Sequence, residues 1–154
     1  MFTVVLFLLP LVSLGKVFKI ESNEQWNSLV SGSEKAVVVE FKSDRCGSCK
    51  EFESIWHSFA EAFSYANVAQ VSVDNEAGMA IAGDLGILEE GIPNVRIFGG
   101  SVSQGISVMV PDTQEEMSAE SLEDEVLEVL GSDPGFFFDT NQLVFKRTSQ
   151  HEDL

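Results

Sequence analysis

The chain alternates two hydrophobic periodicities, and their order predicts an α/β fold. Val17-Phe18-Lys19-Ile20 fits a short strand, and Ser22 followed by Gln25 fits the capping box that opens a helix carrying Trp26, Leu29 and Val30. Ala36-Val37-Val38-Val39-Glu40-Phe41 is a β-branched run of the kind buried on both faces of a sheet. Phe52, Ile55, Trp56, Phe59, Ala60 and Phe63 then recur at helical spacing as one apolar stripe, with Glu51, Glu53, Ser54, Ser58 and Glu61 on the other side. Val68 to Val73 alternates as a strand, Ala77 to Leu85 suits a short helix, and Gly86 and Gly91 mark the breaks around it. Pro93 to Phe98 and Ile106 to Val110 read as two more strands with a Gly99-Gly100 turn between them. Ala119, Leu122, Val126, Val129 and Leu130 make the stripe of a last helix, closed by Gly131.

Strands interleaved with helices, then a pair able to form a hairpin, imply a central mixed β-sheet flanked by helices on both faces. This domain is expected over residues 16–131. Asp133-Pro134-Gly135 reads as a turn, and residues 132–154 as a C-terminal tail that the pattern does not assign to the core. Phe136-Phe137-Phe138 would be costly to expose, so it is expected to pack on the domain, a partner being the alternative. At the other end, the apolar run Val4 to Leu14 is too short to span ~30 Å of hydrocarbon. With Ser13-Leu14-Gly15 behind it, the run reads as a signal peptide over residues 1–15, leaving no membrane span after cleavage. The stretch before it has no Lys or Arg, so an uncleaved anchor or a buried first strand stands as the other reading.

Charge narrows the function classes. A formal net charge of -16 over 154 residues repels phosphate backbones, which excludes nucleic acid as an expected partner. Glu116, Glu120, Asp124 and Glu128 repeat at i+4 and read as a solvated face, an acidic partner site being the sharper alternative. The chemistry lies in the two cysteines, Cys46 and Cys49. A disulfide closing so short a loop removes little chain entropy, roughly 2 kcal/mol against ~4.7 for a hundred-residue loop, so a staple is a poor explanation. Zinc requires four ligands, and beyond this pair the chain offers as soft donors only His57, read as a surface residue, and His151; no metal is expected. A redox role has positive support, because Cys46 follows a strand and precedes the striped helix. Its sulfur then sits at a helix N-terminus, where partial positive charge and unpaired N–H groups favour the attacking thiolate.

The segment Val38-Val39-Glu40-Phe41-Lys42-Ser43-Asp44-Arg45-Cys46-Gly47-Ser48-Cys49-Lys50 resembles the active-site segment of thioredoxins and protein disulfide isomerases, with an acid six residues before the first cysteine. Gly91-Ile92-Pro93-Asn94-Val95-Arg96-Ile97-Phe98 resembles the second signature of that superfamily, a cis proline opening a strand. The resemblance, from about Val17 to Gly131, implies the thioredoxin fold and assigns Cys46 as nucleophile and Cys49 as resolving thiol. It makes Glu40 the buried acid that exchanges the Cys49 proton, its pKa raised by desolvation. Ile92 and Pro93 would hold an extended client segment beside the dithiol. Arg45, Gly47 and Ser48 are the positions that tune the cysteines. Arg45 stands where most members carry Trp and adds a cation near Cys46, and Ser48 replaces the usual His or Pro. The helix lacks the common kinking proline, and the later arginine has no clear match around Val110-Pro111-Asp112.

His151-Glu152-Asp153-Leu154 resembles tetrapeptides that return proteins to the endoplasmic reticulum, with Glu and Asp transposed. Together these features imply a protein disulfide isomerase-like oxidoreductase of the endoplasmic reticulum lumen, or alternatively a secreted one. It would need no cofactor and would exchange disulfides with client proteins and with glutathione or another redox partner. A redox-silent client-binding module of the same fold is the alternative from another class.

Overall fold

The computed structural model describes residues 16–148; the expected signal segment and the His151–Leu154 ending lie outside the described residues. In chain order the elements are β1 (Val17–Ile20), α1 (Asn23–Trp26), β2 (Val37–Lys42), α2 (Gly47–Ala62), β3 (Asn67–Ser72), α3 (Glu76–Asp84), α4 (Ile87–Glu90), β4 (Asn94–Phe98), β5 (Ile106–Met109), α5 (Ala119–Ser132), β6 (Phe136–Asp139) and β7 (Val144–Arg147). Five strands form one mixed sheet in the order β1-β3-β2-β4-β5, with β1, β3 and β2 parallel, β4 antiparallel to β2, and β5 antiparallel to β4.

The β-branched run is central because both of its faces are apolar. Val37, Val39 and Phe41 enter one core layer with Ile20, Val71, Ile81 and Ile87, while Val38 enters the other with Phe52, Trp56, Phe59, Leu122 and Val126. Each fully buried Phe of the α2 stripe contributes roughly 1.5–3 kcal/mol. The alternation of side chains along a strand gives Glu40 the same side as Val38, the side covered by α2 and α5. A carboxyl is thereby carried into an apolar layer directly under the helix that bears the cysteines.

Several boundaries differ from the sequence reading, each for a local reason. Ser22 caps α1 by accepting from the Gln25 N–H at 3.2 Å, but the next turn widens into a π turn over Asn27–Ser31, closed by Gly32 N–H donating to the Asn27 carbonyl at 2.7 Å. Between Gly86 and Gly91 the chain makes the extra turn α4, which buries Ile87. The β4–β5 connection runs from Gly99 to Gly105, wider than a Gly99-Gly100 turn. Gly131 does not close α5, which continues through Ser132 and stops at Asp133, the residue before Pro134 and therefore biased out of the helical region.

The expected edge of the folded unit at residue 131 also moves. β6 and β7 form an antiparallel hairpin docked on the main domain, with Ala36 N–H donating to the Phe145 carbonyl at 2.9 Å, Phe145 N–H to Tyr65 at 2.7 Å and Arg147 N–H to Glu34 at 2.9 Å. The Phe run divides: Phe136 packs into the core at 7% exposure, whereas Phe137 and Phe138 are exposed at 48% and 39%. Gly100 and Gly135 permit this docking, since a Cβ on Gly135 would collide with the backbone nitrogen of Ser101. Among the described residues no helix is long and apolar enough to cross a membrane.

Candidate active site: the Cys46–Cys49 pair

Cys46 and Cys49 form a disulfide with their Cα atoms 5.2 Å apart. Cys46 is the N-cap of α2, with extended backbone, and its Sγ accepts the Cys49 N–H at 3.1 Å. The sulfur therefore holds the place that a capping oxygen takes at other helices, against N–H groups that have no intrahelical partner. A sulfur bearing negative charge would be stabilised there by the same N–H and by the positive end of the helix. Cys49 points inward and is buried; Cys46 is part-exposed.

The sequence-expected residues fall into two groups. Glu40, Ile92, Pro93 and Ser48 are gathered around the dithiol or the helix that carries it. The Ile92–Pro93 bond is cis, and the Ile92 carbonyl oxygen lies 3.7 Å from Cys46 Sγ. Ser48 Oγ is 3.3 Å from the same sulfur. Gly47 is the first residue of α2, where a Cβ would meet no atom within 4 Å, so nothing in the packing demands glycine. Arg45 differs from expectation, because its guanidinium is paired with Asp74 through Nε at 3.1 Å and Nη2 at 3.0 Å and does not present an uncompensated cation to Cys46.

Glu40 is 1% exposed, and burial pushes its carboxyl up to about 7, opposed by a hydrogen bond from Gln70 Nε2 at 2.6 Å and by the Lys42 charge. Gln70 stands opposite Glu40 in the parallel β2–β3 register. A cavity of about 190 Å3 lined by Lys42, Ser43, Asp44, Cys49, Lys50 and Glu53 borders the buried cysteine. A carboxyl that titrates near neutrality on the sheet face covered by α2 is suited to taking up and giving back one proton.

Two contributors escaped the sequence reading. Asp74 accepts from Ser43 Oγ at 2.7 Å and from the Asp44 N–H at 2.7 Å, and those bonds hold its carboxyl down at about 2. Gln70 is the other; it falls on a polar position of an alternating strand, and only the β2–β3 pairing sets it opposite Glu40. A larger groove of about 920 Å3 lies between the hairpin and residues Gly99 to Ser101, and none of the dithiol residues lines it.

A five-stranded mixed sheet with a Cys-Gly-Ser-Cys disulfide capping the first long helix, facing a cis proline, defines a thioredoxin-fold protein. The thioredoxin family model matches residues 17–126, and the chain belongs to that family. It is 39% identical over 69 residues to Thioredoxin H7 of Arabidopsis thaliana, covering 43% of this chain and 54% of that one. It is 30% identical over 83 residues to Protein disulfide-isomerase erp38 of Neurospora crassa, covering 53% of this chain and 22% of that protein. The chain thus spans about half the length of the first of these relatives and less of the second. Among solved structures, thioredoxin from Trypanosoma brucei brucei superposes with a TM-score of 0.57 at 22% identity, covering 75% of this chain and 96% of that one. Thioredoxin f from spinach chloroplast gives 0.53 at 19% identity, covering 73% and 96%. These likenesses carry the fold. Helix α5 beyond residue 126 and the β6–β7 hairpin fall outside the family match.

Proposed function

We propose that the chain is a thiol–disulfide oxidoreductase of the protein disulfide isomerase type, acting on client proteins of the secretory pathway in the lumen of the endoplasmic reticulum. The observation that carries the chemistry is the seat of Cys46: an N-cap sulfur facing the Ile92 carbonyl, with its partner buried and an acid that titrates near 7 on the sheet face that the same helix covers. The isomerase-type assignment rests on the apolar segment at residues 4–14, the His151–Leu154 ending and the partial likeness to erp38.

Starting from the disulfide, a client thiolate attacks Cys46 Sγ, the Cys46–Cys49 bond breaks, and the electron pair leaves on Cys49. Glu40, protonated below about 7, is placed to supply the proton. A second client thiolate then attacks the client sulfur of the mixed disulfide and releases Cys46 as a thiolate held at the helix N-terminus. The client leaves oxidised, and the protein keeps the two electrons as a dithiol. Reduction of a client disulfide runs the same steps backwards, with Glu40 taking the Cys49 proton. Glutathione, or another thiol–disulfide couple, resets the pair.

The thioredoxin relatives favour a second reading, a general reductase. A redox titration of the pair in glutathione buffers separates the two. A midpoint near roughly -180 to -210 mV supports the isomerase-type role, and one near about -270 mV supports the reductase. A pair that stays locked in one state refutes both and leaves a redox-silent client-binding module.

A further inference from the structure

Strand β2 ends at Lys42 and α2 begins at Gly47, so four residues, Cys46 the last of them, join the two. Three of them are tied to one carboxylate at the end of the neighbouring strand. Asp74 Oδ1 accepts from Ser43 Oγ at 2.7 Å and from Arg45 Nε and Nη2, and Oδ2 accepts from the Asp44 N–H at 2.7 Å. Ser43 Oγ also accepts the Arg45 N–H at 3.1 Å, and the Ser43 carbonyl accepts the Cys46 N–H at 3.2 Å. The turn is moored from its first residue to its last through Asp74.

Arg45 is the unusual member of this group. Its side chain is 81% exposed, so the contact to Asp74 is what fixes it. A long exposed cation without such a partner samples many rotamers, including those over the adjacent sulfur. We propose that Asp74 is a positioning residue for the dithiol, which orients the Ser43–Arg45 turn and holds the Arg45 guanidinium at the end of β3, so that the reactivity of Cys46 is set by a carboxylate on another strand. This rests on Cys46 being the nucleophile, as argued above.

The consequence is specific. With Asp74 intact, the two charges largely cancel at Cys46; without it, Arg45 is both uncompensated and released towards the sulfur. The other charged groups around the site are Lys42 paired with Asp44, Glu40, Lys50 and Glu53 on the β2 and α2 side, and Glu76 on α3; all stay unchanged across the variants below.

The test is the thiolate titration of Cys46 in the reduced full chain, read by the pH dependence of iodoacetamide alkylation, for the unmodified protein, Asp74→Asn, Arg45→Gln and the double variant. Asp74→Asn should lower the Cys46 pKa, and the drop should be at least twofold larger with Arg45 present than in the Arg45→Gln background. Equal drops in both backgrounds would reduce Asp74 to a through-space charge and overturn the positioning role; no drop overturns it outright. Should Asp74→Asn not fold, Arg45→Lys keeps the charge but loses the two-nitrogen contact. It should lower the Cys46 pKa as well, and an unchanged value overturns the proposal. Alkylation needs no client and no turnover. A pair that stays a dithiol at every glutathione poise would therefore sink the functional reading while leaving this measurement legible, and equal drops would sink only the positioning role.

Discussion

Replacing Glu40 by Gln should make the protein more stable above neutral pH while slowing its chemistry. The carboxyl is 1% exposed and sits under α2, and burial raises it from an ordinary value of 4.5 to about 7. The folded state therefore holds the proton more tightly than the unfolded chain does. Below about 4.5 both states are protonated and the stability contribution is fully present. As pH rises towards 7 the unfolded carboxyl ionises freely while the folded one resists, so stability falls across that window and is level above it. At roughly 1.4 kcal/mol per pH unit, the gap corresponds to about 3 kcal/mol. The substitution removes the titration and retains an amide oxygen that can accept from Gln70. The difference in unfolding free energy, Glu40→Gln minus unmodified, should thus grow by about 3 kcal/mol between about pH 4.5 and 8. Urea denaturation of the disulfide form at several pH values measures it, since titrating groups not coupled to Glu40 cancel in the difference. A difference that stays flat over that range refutes the buried-acid argument. The same variant should turn over at least about tenfold more slowly near neutral pH, because the Cys49 proton has lost its nearby exchanger.

Two further predictions concern the cysteines and the hairpin. Cys46→Ser should abolish exchange, whereas Cys49→Ser should accumulate mixed disulfides with client peptides visible by mass spectrometry; trapping by Cys46→Ser instead would reverse the two roles. Phe136→Ala should destabilise by about 3 kcal/mol in urea, because its ring fills the space beside Gly100, while Phe137→Ala should stay within about 0.5 kcal/mol. Equal effects would mean that the hairpin is not docked through Phe136.

The local parts of this structure were legible because their signals are local. Three consecutive valines and a Phe specify a strand apolar on both faces, and the α2 stripe repeats without a gap from Phe52 to Phe63. The end of α5 lies at Asp133 and not at Gly131, because the steric bias against helix before proline is the stronger stop. The hairpin was harder. Phe136-Phe137-Phe138 has no alternation, and the turn at residues 140–143 contains no glycine, with Leu143 itself at a φ of 55°. What closes that turn is Asp139, whose Oδ1 accepts the Asn141 and Gln142 N–H groups at 2.9 and 3.2 Å. An Asp-x-Asn sequence carries that possibility, but only docking on Ala36 and Tyr65 makes the hairpin stable.

The site shows the same division, and it also shows how far the sequence could have been taken. Cys46 and Cys49 lie in one turn and are read together, whereas Gln70 and Asp74 reach the site only through strand pairing. That pairing has consequences once β2 and β3 are taken as parallel neighbours. Glu40 is then opposite Gln70 and Lys42 opposite Ser72, so the residues just past Lys42 must run beside those just past Ser72. Ser43, Asp44 and Arg45 offer a hydroxyl, a backbone N–H and a guanidinium there; Asp74 is the acceptor that arrives from the other strand. A register inferred from two apolar runs would therefore have placed both partners. Arg45 thus has its partner across the sheet, and its charge is balanced by the same carboxylate that moors the turn.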